Sequence, residues 1–170
     1  ALRAVTYTNS SETPNTSTRT ISFVVNDGTN DSNTATKQVS ITATNDTPIV
    51  TTSNGTTSFT EGNNTTSTPV VVDSGITVTD ADNTTLASAT VSITTNFQSS
   101  EDVLGLVLNS STMGNISASY NSSTGVLTLT GPATVAEWQL ALQAVTYTNS
   151  SNTPNTSTRT ISFVVNDGTN

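Results

Sequence analysis

The chain has 170 residues, of which 9% are charged and 32% hydrophobic, and its net charge is −8. It has no cysteine and no histidine, which excludes disulfides, thiolate metal sites and imidazole acid–base chemistry. Twelve acidic residues against four basic ones speak against a nucleic-acid partner, because phosphate binding needs clustered Lys and Arg. No stretch approaches the ~20 apolar residues of a membrane span, so no membrane insertion is expected for this segment.

Residues 4–8 (AVTYT) alternate as a strand, and residues 18–25 (TRTISFVV) as a second. Asn26-Asp27-Gly28 signals a turn, and residues 37–44 (KQVSITAT) read as a third strand. Asn45-Asp46-Thr47-Pro48 follows, where proline ends regular pairing and stiffens the joint. Residues 1–46 thus read as the closing strands of one repeat, and residues 47–170 as the next repeat without its final strand. In that second part residues 49–52 and 57–60 form a first strand region, with a loop at 61–64. Short strands follow at 69–72 and 75–80, a loop at 80–83, and a long alternating strand at 87–95. After a loop at 97–102 come a more buried strand at 103–108 and a hairpin of residues 116–120 and 126–130. Residues 133–144 (ATVAEWQLALQA) are the one helical-looking stretch, with Thr134 as N-cap. Val135, Trp138, Leu140 and Leu142 are expected on its core side, and Glu137 on its solvated side. Many short strands with polar turns predict an all-β fold: an antiparallel Greek-key β-sandwich with one short helical turn.

Residues 141–170 repeat residues 1–30, differing only at Arg3/Gln143 and Glu12/Asn152. The offset from Ala1 to Ala141 is 140 positions, and self-similarity at a fixed period marks a repeat architecture. Buried and exposed positions are preserved alike, which implies recent duplication and a job that scales with copy number: reach, stiffness or multivalent display. A longer natural array is expected, with position 1 inside a repeat. Neighbouring repeats are then the first partners.

The acidic residues sort by strand direction to the two ends of the module. Asp80 and Asp82, with Asp167 and the linker residues Asn45 and Asp46, are expected at one end. Glu61, Glu101 and Asp102 are expected at the other. Carboxylates converging from loops and a linker suit Ca2+, which takes six to eight oxygens. The alternative is that these are turn residues, since Asp and Asn favour turns without metal. Lys37, the one lysine, reads as an edge-strand charge that discourages unwanted pairing.

Two stretches carry a family resemblance. One runs from TYTNSS through TPNTSTRTISFVVNDGTNDSNTATKQVSITATNDTPIV, the other is SFTEGNNTTSTPVVVDSGITVTDADN. They resemble cadherin-like and proteoglycan-type tandem repeats of giant bacterial surface adhesins, including the extender modules of repeats-in-toxin-type adhesins. The resemblance implies calcium-binding sandwich modules in a long extracellular, cell-surface protein exported by a dedicated type I system. The joint departs from the usual cadherin linker, lacking its earlier Asp. The expected function is therefore a calcium-stiffened spacer in cell adhesion. Two alternatives stand beside it: a glycan- or cell-binding module, and an extracellular filament subunit joined by strand exchange between identical chains. No nucleophile motif points to an enzyme.

Overall fold

A computed structural model describes residues 2–169 and divides the chain into two compact units, Ala1–Asp46 and Thr47–Asn170. The first unit holds two antiparallel strands, β1 (Arg19–Phe23) and β2 (Ala35–Val39). Arg19 lies opposite Val39, Ile21 opposite Lys37 and Phe23 opposite Ala35. The connection is tied by an Asn26–Asp31 bridge, with Gly28 at φ 105°, a backbone region that only glycine enters without strain. Asp27 Oδ1 accepts from the amides of Thr29 and Asn30, at 2.8 and 2.9 Å. No described residue of this unit is buried, so it has no core of its own.

The second unit contains β3 (Ile49–Thr51), β4 (Val70–Val71), β5 (Thr77–Thr79), β6 (Thr85–Thr95), β7 (Asp102–Leu106), β8 (Ser117–Asn121), β9 (Val126–Thr134), β10 (Val145–Asn149) and β11 (Thr160–Asn166). The helices are α1 (Ser110–Met113) and α2 (Val135–Gln143). A four-stranded sheet runs in the order β11-β6-β9-β8, a three-stranded sheet β4-β10-β7, and β3 pairs with β5. Every strand pairing among the described residues of this unit is antiparallel, and the non-sequential orders give an open, sandwich-like all-β fold.

The core is aliphatic with one tryptophan. β6 turns Leu86, Ala89, Val91 and Ile93 inward. The switch from an even to an odd inward position is made by a register shift against β9 between Leu86 and Ser88, since a bulge resets which face a side chain takes. Opposite the bulge stands Gly131, where a Cβ would lie 2.3 Å from the Asn115 carbonyl oxygen. Leu127 and Leu129 of β9, Leu104 of β7 and Val145 of β10 close the layer with Ile76 and Val78.

α2 starts as its sequence dictates. The Thr134 hydroxyl accepts from the Glu137 amide at 3.2 Å, while Glu137 Oε2 accepts from the Thr134 amide at 2.7 Å. This is a reciprocal capping box, so Glu137 works at the helix start instead of simply facing solvent. Trp138, Ala141 and Leu142 are buried, and the Trp138 indole donates to the Leu86 carbonyl at 3.0 Å. Leu140 is 43% exposed, against expectation, because two residues past Trp138 is the far side of a helix. Thr134→Ala should cost about 1 kcal/mol in urea unfolding followed by Trp138 fluorescence, with Thr134→Ser close to wild type.

Three strand expectations need correction. Residues 5–9 and β10 share the sequence VTYTN, yet residues 5–9 form no strand. β10 is held between β4 and β7, and the first unit offers no such neighbours among the described residues. Residues 57–60 also stay out of the sheets. The third strand of the first unit ends at Val39 instead of running to Thr44.

Candidate functional site

The acidic residues of the second unit fall at opposite ends of β6. Asp80, Asp82 and Asn83 form the turn just before its first residue. Asp167 follows β11, whose Asn166 lies opposite Ser88 near the start of β6, so Asp167 is at this same end. Asp80 Oδ1 accepts from the amides of Asp82 and Asn83, at 3.1 and 2.8 Å, and Asp82 Oδ1 accepts from the Asn83 side chain at 2.9 Å. Asp167 Oδ1 accepts from the Thr169 amide at 2.7 Å. Asp80 Oδ2 is buried and has no hydrogen-bond partner. A buried carboxylate oxygen without a donor is costly, and a hard cation is one group that offsets that cost. Among the described residues no three carboxylates converge closely enough to hold a metal alone. A cation here would therefore need carbonyl, amide or water oxygens beside Asp80 and Asp82.

In the first unit, the Asn45 side chain donates to the Asp46 carbonyl at 3.1 Å. Asp46 lines a small cleft with Glu12, Asn9 and Thr44.

The far end of β6 carries a different arrangement. Asp102 is 1% exposed. Its Oδ1 accepts from the Tyr147 hydroxyl at 2.5 Å, the Asn149 amide at 2.7 Å and the Arg159 guanidinium at 3.3 Å. Its Oδ2 accepts from the Gln98 amide at 2.8 Å and from Arg159 Nε at 3.1 Å. The Asp102 carbonyl accepts from the Tyr120 hydroxyl at 2.8 Å. Glu101 shares the Asn149 side chain at 3.5 Å, and Glu61 lines a cavity with Arg159 and Tyr147. Five donors therefore fill the lone-pair positions of Asp102, which makes this carboxylate a clamp between β7, β10 and β11.

The electrostatics agree. Burial pushes the Asp102 carboxyl up, but the hydrogen bonds from Tyr147, Arg159, Gln98 and Asn149 together hold it below the ordinary carboxylate value. Burial and then the Asp102 hydrogen bond push the Tyr147 phenol up to about 12. Burial, followed by the Asp102 charge, raises Tyr120.

The sequence pointed to the acids and missed their donors. Tyr147, Asn149 and Arg159 carried a signal, since each has a twin in the repeated stretch at Tyr7, Asn9 and Arg19. Asp102 has no twin within the chain, so its partnership with them was not visible there. Asp73 was also passed over; it accepts from the Ser53 amide at 2.8 Å, the Ser53 hydroxyl at 2.6 Å and the Gly75 amide at 2.9 Å.

No protein-family model matches the chain, and no solved structure matches it significantly. Over 81 residues, 47% of its length, the chain is 47% identical to halomucin from Haloquadratum walsbyi (strain DSM 16790 / HBSQ001), and it spans about 1% of that protein.

Proposed function

We propose that this chain is a segment of a long, repetitive, extracellular surface protein whose cadherin-like modules act as spacers, stiffened at their ends by calcium. The observation that carries the reading is the repeat: thirty residues recur at an offset of 140 with only two differences, at positions 3/143 and 12/152. Selection for one reactive centre does not require identical copies, whereas length and stiffness grow with each copy. The likeness to a short stretch of halomucin supports placement in a surface-associated repeat protein. The densest polar cluster supports a mechanical role as well, because Asp102 is saturated by donors of its own module.

Calcium enters through the turn at Asp80 and Asp82. The unpartnered Asp80 Oδ2, Asp82 two residues on, and Asp167 at the same end supply hard oxygens. Glu61 and Glu101 are weaker candidates, and Asp102 is already engaged. A ligand that binds only the folded state stabilises it by mass action, by about 2.7 kcal/mol at about one hundred times Kd. For a unit of this size that is a rise in Tm of roughly 5 to 10 °C. Melts in excess calcium and in chelator measure it, and Asp80→Asn with Asp82→Asn should remove the shift. Superimposable wild-type melts would sink the calcium reading.

A further inference from the structure

Asparagine is followed by hydroxyl residues more often than composition requires. In one period, residues 31–170, ten of fifteen asparagines open an Asn-x-Ser/Thr triplet without proline. Ser and Thr make up 52 of these 140 residues, so chance placement would give about five or six such triplets. The triplet is the acceptor for N-linked sugars, which need a surface asparagine with a free side-chain nitrogen.

The fold divides these asparagines. Asn149 is fully buried, and its Nδ2 donates to Asp102 Oδ1 at 2.7 Å, so a sugar there would break the clamp. Asn83 Nδ2 is held by Asp82 Oδ1 at 2.9 Å in the turn before β6. Asn109, Asn115 and Asn121 are exposed. Asn109 Oδ1 accepts from the Ser111 amide at 3.1 Å and the Ser111 hydroxyl at 2.6 Å, and Asn121 Oδ1 accepts from the Ser123 amide at 2.9 Å. Both side chains thus bond through oxygen, and their nitrogens make no hydrogen bond among the described residues.

These three fall where the sandwich is open. β7 ends the three-stranded sheet and β8 ends the four-stranded one, separated from β11 by β6 and β9. The Tyr120 hydroxyl of β8 bridges the two edges by donating to the Asp102 carbonyl of β7 at 2.8 Å. Natural sheets blunt free edges with charge, proline or a bulge, because an unpaired edge templates pairing with other chains. None of these devices is present on β7 beyond Asp102 or on β8. Residues 103–136 hold no charged residue, and their one proline, Pro132, is in β9. Both strands pair without a register shift. Val103, Val107 and Leu108 add exposed apolar surface to the same side.

We propose that Asn109, Asn115 and Asn121 carry N-linked sugars, which cover the β7–β8 edge in place of charge. Asn109 caps α1 between the two strands, Asn115 stands two residues before β8, and Asn121 is its last residue, so the three bracket the open side. In the transfer, the asparagine Nδ2 attacks the anomeric carbon of a sugar carried on a phosphate leaving group. The C–N bond forms, the C–O bond to phosphate breaks with its electron pair going to the phosphate oxygen, and one amide proton is released. The glycosyl phosphate donor and the transferase come from the cell. The sugars presuppose the extracellular placement proposed above and do not involve calcium.

Protein recovered from the surface of the cells that make it tests this directly. Cleavage after acidic residues releases residues 103–137 as one peptide, between Asp102 and Glu137, and its only asparagines are these three. Its mass should exceed that of the bare peptide by three sugar chains. Fragmentation should place them on Asn109, Asn115 and Asn121, with Asn149 bare in the peptide 138–167. Ser111→Ala, Ser117→Ala and Ser123→Ala together should return the peptide to its bare mass, while Ser111→Thr, Ser117→Thr and Ser123→Thr keep the sugars. A bare 103–137 peptide, sugars on its Ser or Thr residues instead, or equal modification of Asn149 would overturn the assignment; the first leaves the surface placement standing. The shielding has its own readout. The triple alanine variant should self-associate in sedimentation more than the triple threonine variant, and adding Ser119→Lys should reverse that. Equal sedimentation of the two, or an excess that Ser119→Lys leaves in place, would overturn the shielding.

Discussion

Replacing Asp102 by alanine should destabilise the second unit by about 3 to 5 kcal/mol, the range for breaking a buried charge pair by removing one partner. The carboxylate is 1% exposed, so water cannot take over its role. Tyr147, Asn149, the Gln98 amide and Arg159 would lose their acceptor together, and each orphaned donor carries its own penalty. Asp102→Asn keeps the shape but presents an NH2 group to donors, so it should lose most of the same stability. Urea unfolding of both variants, read through Trp138, measures the cost; a loss below about 1 kcal/mol for Asp102→Ala would refute the clamp.

The same cluster sets a pH profile. The folded-state value of Asp102 is depressed from the ordinary 3.8, so the unfolded chain binds protons first as pH falls. Its stabilisation is complete above the unfolded value and disappears as pH drops through the lower folded one. Tyr147 works in the opposite direction. Its folded value is raised from 10.0 to about 12, so stability is complete below 10 and declines as pH climbs toward about 12. Asp102→Asn should flatten the acid limb and lessen the alkaline one, because the Asp102 hydrogen bond and charge are the next causes of the Tyr147 shift after burial.

Periodicity gave away the elements that local pattern determines. β6 alternates from Ser88 to Thr94 and β9 from Val126 to Thr130, and Thr134 with Glu137 writes the start of α2 in four letters. Elements that depend on a neighbour were not legible. VTYTN is β10 where β4 and β7 flank it, and irregular chain at residues 5–9. α1 was missed because SSTM has no amphipathic repeat; it is held by the Asn109 side chain, which accepts from the Ser111 amide at 3.1 Å. The assignment of acids to two ends followed from strand direction alone. Which of them is saturated by donors did not, because the side-chain donors Tyr147, Asn149 and Arg159 are 45 to 57 positions from Asp102.

The two arginines of the repeated stretch offer a matched comparison, and their substitution should separate sequence from context. Arg19 and Arg159 both sit in TSTRTISF, so helix or strand propensity, charge and near neighbours are the same. Both use one guanidinium nitrogen on a local carbonyl, Ser17 for Arg19, and Ser157 at 2.8 Å for Arg159. Only Arg159 also meets a buried carboxylate, with its side chain 9% exposed beside Asp102. Arg159→Ala should therefore cost about 3 kcal/mol by leaving that charge uncompensated, while Arg19→Ala should stay within about 0.5 kcal/mol, as for an ordinary surface change. Arg159→Lys should fall between them, since an ammonium keeps the charge and loses the planar fork. Hydrogen exchange resolves the two sites in one experiment, with β11 amides reporting on Arg159 and β1 amides on Arg19. If Arg19→Ala releases β1 as strongly as Arg159→Ala releases β11, then the arginine acts through its own strand. Asp102 would then not be the contact that makes the second copy matter.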